Sequence, residues 1–452
     1  MSYQGYGQPY GRLRPIPPPQ GQYPPRAKAS IRLRANTLRA SIRLRDNIHP
    51  SSKEATISNP SPASRPVPFV RPAAATAIRR APASALWPPP TGTAARPVRR
   101  ASAAARWFIR SAASSAIRPP VPPTPPSPGY GAPQIIQWDG SADAQALRSA
   151  MKGFGTDEKA LIRTLSNKDP LQIEVLRNAF NRNFKRDLIK DIKSETSSWF
   201  EYGLVQLARG PLSADVHNLY EAMSGPGTKE LVLNDILLSR SNADMKAIKS
   251  AYYQTYRKSL ENDVKGDLSM KTERHFLMVL AATRAEDAAP VVPQQVDDDV
   301  MQIYKATEGK MGTDEILVCS ILTSRNDNQI RAIAHSYKQK FNRDLEKVIK
   351  SEFSGHMQDA LLFQLRNGVD KYMHAADLLE ESMAGMGTKD HLLVSRVVRF
   401  HWDRNFLANV KGAYQQKYRR SLASRIKGET SGDYERLMVA CIWGMRPDEA
   451  DV

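Results

Sequence analysis

A glycine-bearing loop is written four times in this chain of 452 residues: Met151-Lys152-Gly153-Phe154-Gly155-Thr156, Met223-Ser224-Gly225-Pro226-Gly227-Thr228, Gly309-Lys310-Met311-Gly312-Thr313 and Met383-Ala384-Gly385-Met386-Gly387-Thr388. Each copy is answered downstream by an acid: Glu195, Asp267, Glu352 and Glu429. The last loop glycine and its acid are 40, 40, 40 and 42 residues apart. A spacing that persists while the residues within it change marks one structural unit used repeatedly.

Ligand chemistry suggests what the unit does. Ca²⁺ gathers roughly six to eight oxygens from carbonyls, a bidentate carboxylate and waters. A loop that turns several carbonyls toward one point needs conformations that glycine reaches without a Cβ clash. One carboxylate must then supply charge, and a distant helix end can deliver it. A single Gly-x-Gly-Thr would fit equally well as the end of one helix and the cap of the next. Repetition with a matched acid points instead to Ca²⁺ held by loop carbonyls and a remote side chain.

Helix signals dominate from Ile135 onward, and no alternating β-branched strands interrupt them. In the first unit Ser141 can cap a helix running to the loop. Thr156 can cap the next, with Asp157 and Glu158 where the helix dipole favours acids. Asp169-Pro170 starts a third, proline standing where its missing N–H costs nothing. Asp187 starts a fourth, reaching toward Glu195, and residues 197–208 form a fifth. Good N-cap types, Asp187, Ser259, Asp344 and Ser421, stand eight residues before the acids. The aromatic pairs Phe180/Phe184, Tyr252/Tyr256, Tyr337/Phe341 and Tyr414/Tyr418 precede them at i, i+4 spacing, which places both rings on one helical face as core. Second helix out, third across and fourth back would bring each acid beside its loop.

The formal charge of +19 is unevenly distributed: residues 1–133 carry 18 Arg, 2 Lys and only two acids, Asp46 and Glu54. The remainder is nearly neutral, so the basic character belongs to the tail. That Pro/Arg/Ala/Ser-rich segment lacks a periodic apolar pattern and reads as disordered. It contains Ala-Ser-Ile-Arg-Leu-Arg twice, and Arg99-Arg100-Ala101-Ser102 fits a basophilic kinase site. Cys319 and Cys441 lie in apolar helical runs and read as buried reduced thiols, with no disulfide framework. No signal peptide opens the chain and no apolar run is long enough to span a bilayer, which leads us to expect an intracellular, soluble protein.

These loops, acids and spacings resemble the annexin family over about residues 137–446. The longer connection at residues 285–300 and the pairs Ser239-Arg240 and Ser324-Arg325 at the end of the second helix add to the likeness. The resemblance implies an all-α fold: four five-helix repeats forming a curved disc, preceded by a long disordered tail. The implied division is 1–133 for the tail, then 134–208, 209–284, 285–368 (with the linker) and 369–452 for the repeats. It implies calcium-dependent, non-catalytic binding to acidic, phosphatidylserine-like phospholipid membranes, a cytoplasmic protein peripherally attached when calcium rises, and a role in membrane organisation or vesicle trafficking. By analogy, Met151, Gly153 and Gly155 supply carbonyls and Glu195 the bidentate carboxylate. Met223, Gly225, Gly227 and Asp267 do so in the second repeat, and Met383, Gly385, Gly387 and Glu429 in the fourth. Gly312 and Glu352 remain in the third, where Lys310 replaces the first glycine and a weaker or differently shaped site is expected. The fourth repeat has two extra residues around 401–404, expected to bulge between helices. Phe154, Pro226, Met311 and Met386 stand at loop tips that could dip into a membrane interface.

Other classes are less well supported. The Arg-rich tail could bind RNA, another anionic surface or a protein partner, but it carries no recognised nucleic-acid-binding motif. Gly-x-Gly-Thr lacks the Gly-Lys-Ser/Thr ending and preceding strand of a P-loop, and no catalytic constellation stands out, so catalysis is not expected. Buried charges between repeats could line an ion-conducting opening.

Overall fold

The computed structural model describes residues 121–443 apart from 269 and 310. The expected tail disorder over 1–120, the possible kinase site and Lys310 lie outside the described residues. Among those residues the chain is all-helical, with no strand.

The first repeat comprises α1 (Ser141–Ala150), α2 (Glu158–Ser166), α3 (Pro170–Phe184), α4 (Leu188–Glu195) and α5 (Ser198–Arg209). The second comprises α6 (Pro211–Met223), α7 (Glu230–Leu237), α8 (Asn242–Tyr256), α9 (Leu260–Asp267) and α10 (Met270–Leu280). The third has α11 (Pro293–Ala306), α12 (Glu315–Ser324), α13 (Asp327–Phe341), α14 (Leu345–Glu352) and α15 (Gly355–Val369). The fourth has α16 (Lys371–Met383), α17 (Asp390–His401), α18 (Arg404–Tyr418), α19 (Leu422–Lys427) and α20 (Gly432–Trp443).

Local chemistry fixes these boundaries. Asp169 closes a capping box with Gln172 at the start of α3, with Pro170 in the first turn. The third helix of every repeat ends on a left-handed residue that is not glycine: Lys185, Arg257, Asn342 and Arg419, φ 53°, 57°, 51° and 58°. The chain thus turns sharply and reaches the N-cap of the fourth helix two residues later. Asp187, Ser259 and Ser421 cap that helix as expected, accepting from Lys190, Asn262 and Ser424 N–H. Asp344 stands at the same place without a cap bond, its carboxylate drawn to Lys338 at 2.8 Å.

Three expectations are corrected. Ser141 opens α1 without capping it, because its hydroxyl donates to Asp139 at 2.8 Å. Asp157 rather than Thr156 caps α2, accepting from Ala160 N–H at 2.9 Å. The two extra residues of the fourth repeat do not bulge between helices; α17 has 12 residues against 9 in α2, so they lengthen the helix.

Phe180, Tyr252, Tyr337 and Tyr414 are fully buried, each with its i+4 partner at 4.8 to 5.2 Å between ring centroids. Each anchors its repeat by about 1.5–3 kcal/mol of apolar burial. Repeats one and four share one continuous core, while repeats two and three centre on their own. The first and fourth approach closely where a Cβ on Gly203 of α5 would lie 2.7 Å from Leu437 of α20. Between repeats two and four, Arg396, 1% exposed, forks onto Asp235 at 2.7 and 3.2 Å. Cys319 and Cys441 are buried and free, their thiols pushed up to about 12 by burial.

Residues 121–133 were expected to share the tail's disorder, yet the stretch from Thr124 to Tyr130 is tied to the repeats at three residues. Thr124 N–H donates to Glu286 at 2.7 Å, Ser127 bonds Asp244 through both N–H and Oγ at 2.7 and 2.6 Å, and the Tyr130 hydroxyl donates to Asp215 at 2.6 Å. Arg240 lies over the Tyr130 ring at 4.9 Å. This strap borders a charged cavity of about 360 Å³, also lined by Asp215, Arg240, Asp327 and Arg396. The acids that receive it outcompete the entropy of an otherwise featureless segment.

Two predictions follow from the packing. Tyr130→Phe should cost about 1 kcal/mol, since Asp215 keeps Arg240 and Arg399, whereas Tyr130→Ala should cost about 3 kcal/mol or more in urea unfolding. An alanine variant within about 0.5 kcal/mol of wild type would contradict a docked strap.

The second concerns pH. Burial lowers His275 to about 3, helped by the neighbouring His356, and burial lowers His356 to about 4; both His275 ring nitrogens lack partners. The unfolded chain takes up these protons near pH 6.5. Their stabilisation is therefore complete above that value and is lost as pH falls toward the folded values, roughly 1.4 kcal/mol per unit per group. Melting temperature should fall from pH 7 to 5, less steeply in His275→Gln; parallel profiles would reject this cause.

Candidate metal centres

The loops close by the same bond in each repeat. Asp157, Lys229 and Lys389 N–H donate to Ala150, Ala222 and Ser382 carbonyls at 2.9, 3.0 and 2.8 Å. In the third repeat Asp314 reaches Ala306 at 2.7 Å, over a loop one residue longer. Inside them, Gly153/Gly155, Gly225/Gly227 and Gly385/Gly387 have φ of 115°/89°, 141°/80° and 105°/90°, and Gly312 has 82°. A Cβ at any of these would meet nothing within 4 Å, so glycine is needed for its dihedral and not for room. Phe154, Met311 and Met386 at the tips are fully exposed. Met151 and Met383 bury their side chains in the core, leaving their backbones as the part that faces the loop.

The returning helices reunite acid and loop as the spacing predicts. Glu195, Asp267 and Glu352 are the last residues of α4, α9 and α14; Glu429 follows α19 by two residues. A loop threonine makes the joint each time. Thr156 and Thr228 hydroxyls donate to the backbone carbonyls of Glu195 and Asp267 at 3.2 and 3.4 Å. Thr313 and Thr388 donate to the carboxylates of Glu352 and Glu429 at 2.7 and 2.9 Å. Sequence reasoning missed this role by reading Thr156 as a helix cap. The signal was present, since threonine follows the last glycine in all four copies.

The four sites differ in charge. Asp267 Oδ2 is buried without any hydrogen-bond partner, a costly state for an ionised carboxylate that a cation would relieve. Glu195 is exposed beside its loop. In the third repeat Glu308, which sequence reasoning did not single out, stands four residues before Gly312, as Met151 stands before Gly155. Its carboxylate takes the Tyr337 hydroxyl at 2.6 Å and Arg343. In the fourth repeat Arg425 contacts both Glu429 and the Met383 carbonyl. Among the described residues no cluster of three or more His, Cys, Asp or Glu forms a metal cage. One carboxylate beside a loop of backbone carbonyls fits a hard cation that takes most of its oxygens from backbone and solvent.

A basic residue after the second helix braces the first in three repeats. Lys168 pairs with Asp143 at 2.8 Å, Arg240 with Asp215, and Arg325 bidentately with Asp299 at 2.6 and 2.8 Å. The Ser-Arg pairs noted in the sequence thus hold the helix that leads into the loop.

The annexin family model matches residues 142–207, 214–279, 298–363 and 374–441. The chain is 43% identical over 327 residues to annexin C1 of Cryptococcus neoformans var. grubii, covering 71% of this chain and 69% of that protein. Among solved structures it is similar to annexin III, with 30% identity, a TM-score of 0.65 and coverage of 71% and 98%. It is also similar to a calcium-bound annexin (Sm)1, with 29% identity, a TM-score of 0.59 and coverage of 68% and 91%. No described helix is long and apolar enough to cross a membrane. With four matched segments, twenty helices among the described residues in four sets of five and a loop–acid joint in each, this chain belongs to the annexin family, whose members bind phospholipid in a calcium-dependent manner.

Proposed function

We propose that this protein docks reversibly on acidic phospholipid surfaces through Ca²⁺ held at its loop–acid joints. The observation carrying the reading is the partnerless buried Oδ2 of Asp267 beside a loop whose two glycines hold positive φ. Met151, Gly153, Gly155 and Glu195 form the first site, Met223, Gly225, Gly227 and Asp267 the second. Gly312 with Glu352 and Met383, Gly385, Gly387 with Glu429 form the third and fourth.

One carboxylate per site leaves part of the cation's charge uncompensated, and bound Ca²⁺ supplies that charge to lipid phosphate oxygens. Glycine backbones fold each loop around the site, while threonine hydroxyls fix the acid-bearing helix end against it. Several such joints on one folded body make later contacts intramolecular and raise avidity. Lipid and calcium then strengthen each other's binding, as linkage requires. The exposed Phe154, Met311 and Met386 add apolar area at the loop tips. The protein so read acts in the cytoplasm as a peripheral membrane binder without catalysis.

The test is co-sedimentation with phosphatidylserine vesicles across a calcium titration. A Glu195→Gln/Asp267→Asn/Glu429→Gln variant should need at least about tenfold more calcium, with unchanged helicity. Sedimentation identical to wild type would overturn the site assignment. Binding that persists in EGTA and disappears when residues 1–120 are removed would assign the surface contact to the Arg-rich tail.

A glycine variant tests the loop separately. Gly225→Ala should cost about 1–2 kcal/mol through its dihedral alone, read by urea unfolding in EGTA. A neutral result would show that positive φ at this position is not required.

A further inference from the structure

The fourth site contains a residue that the others lack. One helical turn before the acid stand Asp191, Asp263 and Val348 in the first three repeats, and Arg425 in the fourth. In repeat one, Asp191 pairs with Arg148 of the first helix at 3.6 Å. In repeat four the signs are exchanged: Glu380 of the first helix pairs with Arg425 Nε at 3.3 Å. The exchange places a guanidinium directly ahead of the proposed ligand acid. Its Nη1 donates to Glu429 Oε1 and its Nη2 to the Met383 carbonyl. Thr388 Oγ1 holds the other Glu429 oxygen at 2.9 Å. Two of the oxygens assigned above to the fourth site, Glu429 Oε1 and the Met383 carbonyl, thus already accept from a cation of the chain itself.

We propose that Arg425 is an internal counter-cation that occupies the ligand oxygens of the fourth site, so that this site accepts Ca²⁺ only as the guanidinium withdraws. The inference rests on the calcium reading of the loop–acid joints. Withdrawal leaves no charge stranded, because Arg425 can remain on Glu380, which also accepts from Arg420 at 3.0 Å and from the Tyr414 hydroxyl. The fraction of molecules with the guanidinium seated reduces the apparent affinity of this site in proportion. The first and second sites have an acid at the same position, held by Arg148 and Arg186 or by Tyr252, so they fill without this competition. The fourth site would then respond at a higher calcium level than those two.

The experiment uses the full chain without lipid, titrated with calcium in a calorimeter and melted in EGTA and in saturating calcium. Arg425→Met should tighten one site about tenfold, the equivalent of one charge-assisted hydrogen bond, and adding Glu429→Gln should cancel the gain. Arg425→Lys, which keeps the charge but loses the two-pronged fork, should tighten it less. Arg425→Met should also lower the melting temperature in EGTA, where Glu429 loses its cation while Glu380 keeps Arg420, and recover in calcium. A merely structural arginine would lower it equally in both buffers. An Arg425→Met titration superimposed on wild type, or an equal melting loss in both buffers, overturns the proposal. If the variant is unfolded in EGTA, refolding on calcium addition supports the proposal and failure to refold overturns it. Absence of calcium uptake by wild type and variant alike would instead remove the underlying calcium reading, and the proposal with it.

Discussion

The structure depends on one reunion: a loop and an acid some forty residues apart must meet within hydrogen-bond distance, four times. Two intervening helices and a third that returns act as a rigid spacer. The third helix has 15 residues in every repeat and so holds its span constant at about 1.5 Å per residue. The left-handed residues Lys185, Arg257, Asn342 and Arg419 set the reversal that makes the return possible. Their strain, on the order of 1 kcal/mol each, is tolerated because the flanking aromatic pair and the next cap over-determine the turn. Even the fourth repeat obeys this constraint: α17 absorbs two extra residues, and Glu429 still meets Thr388.

Charge is organised on the same principle of exact pairing within a low-dielectric setting. Arg396 is almost wholly buried, yet Asp235, the Leu378 carbonyl and Glu381 satisfy its donors. Removing either partner would strand an ion, a larger loss than the pair's net contribution to stability. The shared core of repeats one and four joins instead by apolar contact and a glycine-sized gap at Gly203. The strap from Thr124 to Tyr130 enters through the charged region, recruited by Asp215, Asp244 and Glu286.

Much of this was legible in the sequence because it is periodic. The loops, the acids, the aromatic pairs and three of the four fourth-helix caps recur at fixed intervals, and repetition filters out chance. What escaped was not periodic. The strap has no apolar rhythm, and its order comes from acids of helices distant in the chain. Thr156 looks like a cap because Thr and Asp157 are both good caps, and only the fold shows that the threonine is needed elsewhere. Glu308 and Arg425 are single departures from the repeated pattern. A reading built on recurrence passes over them.

Those departures show how one unit used four times acquires four characters. The paired glycines take similar positive φ at the first, second and fourth loops, so their backbones do little to distinguish those three sites, while the third loop is one residue longer. What differs is the charge close to the acid: Asp191 paired outward with Arg148 and Arg186, Asp263 held by Tyr252, Val348 uncharged, and Arg425 paired inward. At an effective dielectric constant near 20, a unit charge about 4 Å from the carboxylate is worth roughly 4 kcal/mol before screening, far more than a small change in loop dihedral. Substitution at a single helical position can therefore grade the proposed sites without disturbing the fold that builds them. The helix carrying the acid is fixed by threonine and, in three repeats, by its cap, and the residue one turn earlier changes sign together with its partner on the first helix.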